Sequence, residues 1–143
     1  MSDEDLITTG QKLDVTGTPF DLRQPKEIGL GIDSDHQQIQ IGGGYDHNFI
    51  LSEVPWRELA PAAVLEYGSV RMTCLTTKPG VQLYTGNFLS GDSGKDNAKY
   101  NKRNGVCLET QFWPDSVNKP DFPNSILRKG EIYHHTTVYK FDY

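Results

Sequence analysis

The sequence predicts an all-β protein of antiparallel strands joined by long loops. Fourteen Gly and eight Pro interrupt the chain at short intervals, as turns between strands require. Several stretches alternate polar and apolar residues with a period of two, and few windows sustain the 3.6-residue apolar period of a helix. The stretch that stands out is Gly105-Val106-Cys107-Leu108-Glu109-Thr110-Gln111-Phe112-Trp113. Strand alternation puts Val106, Leu108 and Thr110 on one face and Cys107, Glu109 and Gln111 on the other. A carboxylate in mid-strand is unusual, because strands deplete Glu and an unpaired buried charge is costly. The plain reading is a solvent-facing Glu on a half-exposed sheet.

In chain order, residues 1–13 read as an extended entry segment. Pro19 then biases Thr18 away from helix, and residues 24–29 have room for a short helical turn at most. Residues 33–40 are polar and read as a surface loop with a solvated His36. Gly42-Gly43-Gly44 precedes the strand-like Phe49-Ile50-Leu51. A phosphate-binding loop needs a strand before it and a helix after it, so that reading is rejected. Residues 52–61, with Pro55, Trp56 and Pro61, read as a loop. A strand begins at Ala62 to Leu65 and turns at Tyr67-Gly68-Ser69. Val70–Thr77 is a strand, Lys78-Pro79-Gly80 a turn, and Val81–Gly86 the antiparallel partner. Residues 90–104 are an exposed loop, and a Pro-rich loop runs from Pro114 to Pro123. A closing hairpin pairs Ser125–Arg128, through Lys129-Gly130, with residues 131–141. There Tyr133, His135, Thr137, Tyr139 and Phe141 form the more aromatic face and are expected toward the core.

With 143 residues the chain is the size of one domain, 1–143. A formal net charge of -5 argues against a nucleic-acid partner, and no apolar run approaches membrane-spanning length. The acidic start, Met1-Ser2-Asp3-Glu4-Asp5, is unlike a basic targeting peptide. Cys74 and Cys107, both in strand-like runs, suit buried free thiols in a reducing compartment. The expectation is a cytoplasmic protein.

Metal ligation is disfavoured: His134 and His135 point to opposite faces of a strand, and zinc-type Cys spacing is absent. Cys107 between Val106 and Leu108 reads as a small hydrophobe rather than a nucleophile. Acid–base or binding chemistry is left to Asp46, Gln82 and Glu109.

Five blocks carry a family resemblance: Thr18-Pro19-Phe20-Asp21-Leu22-Arg23, Gly44-Tyr45-Asp46-His47-Asn48-Phe49, Thr77 through Phe88, Gly105 through Gln111, and Ile126 through Thr137. In their order they resemble the C-terminal part of aldose 1-epimerases, also called galactose mutarotases. The resemblance implies the C-terminal portion of a galactose-mutarotase-like β-sandwich and cofactor-free interconversion of the α and β anomers of free hexoses such as galactose and glucose. It implies Glu109 as the general base on the anomeric hydroxyl. It also implies Asp46 as a carboxylate that hydrogen-bonds sugar hydroxyls, and Gln82 as a polar residue lining the cleft. The family's proton-donating His belongs to motifs upstream of Met1, and none of the four histidines here matches them; His47 is expected to support its loop.

Three expectations follow. One is an aldose 1-epimerase whose activity needs a complementary N-terminal half, with self-association as the other way to cover open strands and apolar faces. The second is a catalytically inactive carbohydrate-binding or regulatory fragment, and the third a non-functional truncated remnant. In each case the isolated chain shows little or no mutarotation.

Overall fold

The computed structural model describes residues 1–52, 55 and 58–143, so the Trp56 part of the expected 52–61 loop lies outside the described residues. Among the described residues the strands are β1 (Asp46–Ile50), β2 (Ala60–Tyr67), β3 (Val70–Thr76), β4 (Gly80–Tyr84), β5 (Ser90–Ser93), β6 (Lys99–Asn101), β7 (Cys107–Gln111) and β8 (Thr137–Asp142), with one α-helix, α1 (Gln37–Gly42). They form sheets of order β1-β4-β7 and β2-β3-β8 and a β5-β6 ribbon. The all-β, antiparallel expectation holds. Two compact units result, Met1–His47 with Leu83–Cys107, and Asn48–Gln82 with Leu108–Tyr143.

In the first unit, Phe20, Ile32, Ile39, Tyr45 and Leu83 are buried. Phe20 meets the rings of His36, Tyr45 and His47 edge-on, a favoured aromatic geometry. The expected 33–40 surface loop is corrected here, because α1 occupies its second half. His36 is its N-cap, accepting the Gln38 N–H at Nδ1 (3.2 Å). Gly43, in the left-handed region at φ 61°, ends the helix. Buried Ile39 and Gln38 hold this helix in place, and Gln38 makes two hydrogen bonds to the Ser2 backbone. His36 is therefore half-buried and engaged rather than solvated. The 90–104 segment is exposed, as expected, yet carries the β5-β6 ribbon.

In the second unit, β3 lies between β2 and β8, with Leu65 opposite Met72 and Met72 opposite Phe141. The expected β3–β4 hairpin does not form, since the two strands belong to different sheets. Lys78-Pro79-Gly80 is a buried crossover instead of a solvent turn. The Pro79 carbonyl accepts from Leu51 N, Ser52 N and Trp113 Nε1. Lys78 is 7% exposed, with Nζ donating to the Tyr133 hydroxyl (2.5 Å) and lying 4.3 Å from the Phe112 ring centroid. Cation–π contact with two rings offsets part of the burial cost of that ammonium.

The closing hairpin is corrected as well. Residues 125–128 form no strand, and β8 pairs with β3, drawn there by Thr77 N donating to Thr136 O and Thr136 N to Thr77 Oγ1. Register puts Tyr67, Val70, Leu65, Met72, Phe141, Ala63, Cys74 and Tyr139 on one side of the sheet. The other side carries Glu66, Arg71, Lys140 and Asp142 toward the hairpin tip, with Val64, Thr73, Leu75 and Val138 farther along. The apolar side is covered at Cys74 and open toward the hairpin tip, where Tyr67 is 90% and Phe141 50% exposed. The aromatic set of the last strand is thus not core: Tyr133, Tyr139 and Phe141 are exposed, while His135 and Thr137 are half-buried.

Candidate functional site

Glu109 stands in the middle of β7 and is exposed, with Leu108 and Thr110 on the opposite face half-buried. Both neighbours are anchored. The Leu108 carbonyl accepts the Tyr139 hydroxyl (2.6 Å), and the Thr110 and Thr137 hydroxyls are 2.6 Å apart. Beyond Gln111 the strand is held by Trp113, which is 2% exposed, donates to Pro79 O (3.1 Å) and packs edge-on against Phe122. The backbone under Glu109 is fixed from both sides while its carboxylate faces outward. Among the described residues that carboxylate makes no hydrogen bond or ion pair. Cys107 lies on the same face and is exposed. This corrects the expectation of a buried thiol, which holds for Cys74 alone: an uncovered face exposes both of its alternate residues.

Gln111, also on the Glu109 face, reaches across the sheet. Its Nε2 donates to Gln82 Oε1 (3.3 Å) on β4 and lies 3.5 Å from Asn48 Oδ1 on β1. A row of three amides thus joins neighbouring strands and orients Gln82, which is half-buried. Gly80 is required beneath it, since a Cβ there would stand 2.6 Å from Asn48 Oδ1 and 3.1 Å from Trp113 Cδ1. Gln111 and Asn48 were not among the expected site residues. The signal for both is spacing: each lies two residues after a predicted site carboxylate, on the same face of its strand.

Asp46 opens β1 and belongs to the first unit, whereas Gln82 and Glu109 belong to the second. Asp46 is half-buried, and its backbone N–H donates to Nδ1 of the following His47 (3.0 Å). Burial is the main cause that lowers the His47 pKa to about 4, with the chain's amino terminus and His36 adding to it. The other histidines are likewise accounted for. His36 caps α1, and His135 Nδ1 meets Thr77 Oγ1 (3.1 Å), with its pKa lowered by burial and by Lys78. His134 is exposed. A groove lined by Gly17, Thr18, Asp21, Gln24, Pro25 and Lys26 contains none of the expected site residues. Among the described residues no three His, Cys, Asp or Glu side chains gather as a metal ion would require, and no helix is long and apolar enough to cross a membrane.

The sequence matches the aldose 1-epimerase family model over residues 1–140. It is 50% identical over 141 residues to a galactose mutarotase of Mus musculus, covering 97% of this chain and 40% of that protein. An aldose 1-epimerase of Escherichia coli K12 is 35% identical over 130 residues, covering 89% and 37%. Among solved structures, a GalM/aldose epimerase homologue from C. elegans superposes with a TM-score of 0.82 at 25% identity, over 99% of this chain and 42% of that one. The galactose 1-epimerase of Lactobacillus acidophilus gives 0.69 at 28% identity, over 98% and 40%. The fold therefore matches that of galactose mutarotases, and the chain spans about 40% of the length of the curated relatives it matches. On the match over residues 1–140 and the identity to both mutarotases and bacterial epimerases, this chain belongs to the aldose 1-epimerase family.

Proposed function

We propose that this chain carries the general-base side of a hexose mutarotase site. In this reading Glu109 takes the proton from the anomeric hydroxyl, Gln82 lines the cleft and Asp46 hydrogen-bonds sugar hydroxyls. Proton delivery to the ring oxygen then opens the ring, rotation about C1–C2 follows, and closure on the other face gives the other anomer. The observation that supports it best is Glu109 itself: an outward carboxylate on a strand clasped at Leu108, Thr110 and Trp113. Rigid strand placement is what a base needs in order to meet a sugar hydroxyl. The substrate class is a free hexose, galactose or glucose, and the chemistry needs no cofactor.

The acid is proposed to come from a complementary polypeptide segment. His47 and His135 have lowered pKa values and are engaged in the fold, which makes them poor proton donors near neutrality. The open apolar side of β2-β3-β8 fits a missing sheet partner. The single-domain reading of 1–143 is retained as part of this proposal, because the two units are built from interleaved stretches of chain. Free thiols at Cys74 and Cys107 suit a cytoplasmic setting.

The test is a chimera that joins this chain to the part of the mouse relative it does not match. Restored mutarotation of galactose that falls at least ~100-fold in Glu109→Gln supports the proposal. Restored activity indifferent to Glu109→Gln refutes Glu109 as the base. A second reading, an inactive sugar-binding chain, is favoured by the engagement of His36, His47 and His135 in structural contacts. It is distinguished by galactose binding without turnover in the chimera.

A further inference from the structure

We propose that His47, acting with Asn87 and Thr85, is a positioning residue that orients Asp46 by locking the Tyr45–Asp46 peptide plane from both sides. The inference rests on the reading of Asp46 as a sugar-hydroxyl ligand.

A peptide unit is planar, so holding its oxygen and its N–H fixes the plane from which the next side chain departs. Here both are held. The Tyr45 carbonyl accepts from Asn87 Nδ2 (2.9 Å) and from the Thr85 backbone N–H (3.1 Å). The Asp46 N–H donates to His47 Nδ1 (3.0 Å). Asn87 Nδ2 also donates to Gly42 O (2.8 Å), and its Oδ1 accepts from the Thr85 hydroxyl (2.7 Å), which in turn accepts the Tyr45 N–H (3.2 Å). Asn87 and Thr85 are buried, at 5% and 2% exposure. A buried amide with its bonds satisfied on both ends is a stiff strut, because breaking any one bond leaves a polar group unpaired.

Gly44 shows how tightly the strut fits. Its φ is +140°, and a Cβ there would stand 2.4 Å from Asn87 Oδ1 and 2.9 Å from Asn87 Cγ. The turn before Asp46 therefore needs glycine for conformation and for room.

On the other side, His47 can accept the Asp46 N–H only with a lone pair on Nδ1, which places the proton on Nε2. Nε2 is buried and among the described residues has no hydrogen-bond partner, and a second proton would have to sit on Nδ1, facing the Asp46 N–H that Nδ1 accepts. Its low pKa keeps Nδ1 an acceptor at neutral pH. Phe20, 4.7 Å away edge-on, and the ring of His36 against the same Phe20 wall in the imidazole.

The test uses the full chain. Long-range proton–nitrogen NMR reads the His47 tautomer, hydrogen exchange reads the Asp46 amide, and saturation-transfer NMR reads galactose binding. The expected results are an Nε2–H tautomer at about pH 7 and Asp46 exchange faster by roughly tenfold or more in His47→Ala. His47→Asn, whose Oδ1 takes the place of Nδ1, restores the slow exchange. Galactose binding weakens in His47→Ala as it does in Asp46→Asn and recovers in His47→Asn. An Nδ1–H tautomer in the unaltered chain, or Asp46 exchange unchanged in His47→Ala, overturns the positioning role. The tautomer measurement needs no variant and decides the matter even where His47→Ala fails to fold. Binding absent from the unaltered chain, or unchanged in Asp46→Asn, counts against Asp46 as the ligand while the tautomer and exchange results still judge the positioning.

Discussion

The indole N–H of Trp113 donates to the carbonyl of Pro79, 3.1 Å away, and so ties the end of the Glu109 strand to the crossover that precedes the Gln82 strand. Trp113 is fully enclosed and packs on Phe122. Trp113→Ala is expected to cost about 3–5 kcal/mol, the range for a large buried aromatic. Trp113→Phe keeps most of the packing and loses the hydrogen bond, while the Pro79 carbonyl still accepts from Leu51 N and Ser52 N, so the expected cost is smaller, about 0.5–1.5 kcal/mol. Urea unfolding of both variants checks the order.

Glu109→Gln separates chemistry from stability. The carboxylate is exposed and has no partner among the described residues, so the substitution should shift unfolding free energy by less than about 0.5 kcal/mol. A larger loss in a urea titration would mean that Glu109 has a structural role.

Stability should fall as the solution is acidified, with His47 as a main cause. Its folded pKa is about 4 against 6.5 for the free side chain. Between those values the unfolded chain binds a proton that the folded chain refuses, so stability is complete above pH ~6.5 and declines as pH drops toward ~4. A shift of that size corresponds to something on the order of 3 kcal/mol. His135, also lowered, acts in the same direction. Urea midpoints at about pH 7 and pH 4.5 measure the slope, which His47→Asn should flatten.

The open side of β2-β3-β8 predicts concentration-dependent association. Tyr67 and Phe141 stand at its uncovered end, where an apolar sheet surface invites a second chain. Tyr67→Lys with Phe141→Lys should lower light scattering at high concentration and leave the thermal midpoint nearly unchanged. Monomeric behaviour of the unaltered chain at all concentrations would contradict this.

Strands β3 and β7 were legible because alternation is a local property, and it also gave the face that Glu109 shares with Gln111. Pairing was not legible. Lys78-Pro79-Gly80 has the composition of a hairpin turn, and only tertiary structure shows Pro79 buried with its carbonyl taken by Leu51, Ser52 and Trp113. Helix α1 escaped because six residues are too few for periodicity to register and its cap is a His rather than Ser, Thr, Asp or Asn. The closing hairpin failed for a similar reason. Thr77 and Thr136 bind each other across a long sequence separation, and that contact outweighs the local turn signal at Lys129-Gly130. That Gln82 and Glu109 stand on neighbouring strands was not legible either, nor was the hydrogen bond from Asn87 to the Tyr45 carbonyl beside Asp46, since both depend on how distant stretches of chain meet.

The central claim, a base held ready without its acid, is tested most directly by polarimetry of freshly dissolved α-D-glucose with the isolated chain. The account predicts a decay of rotation no faster than in buffer. A rate clearly above buffer that disappears in Glu109→Gln would contradict it, because the chain would then hold both halves of the acid–base pair.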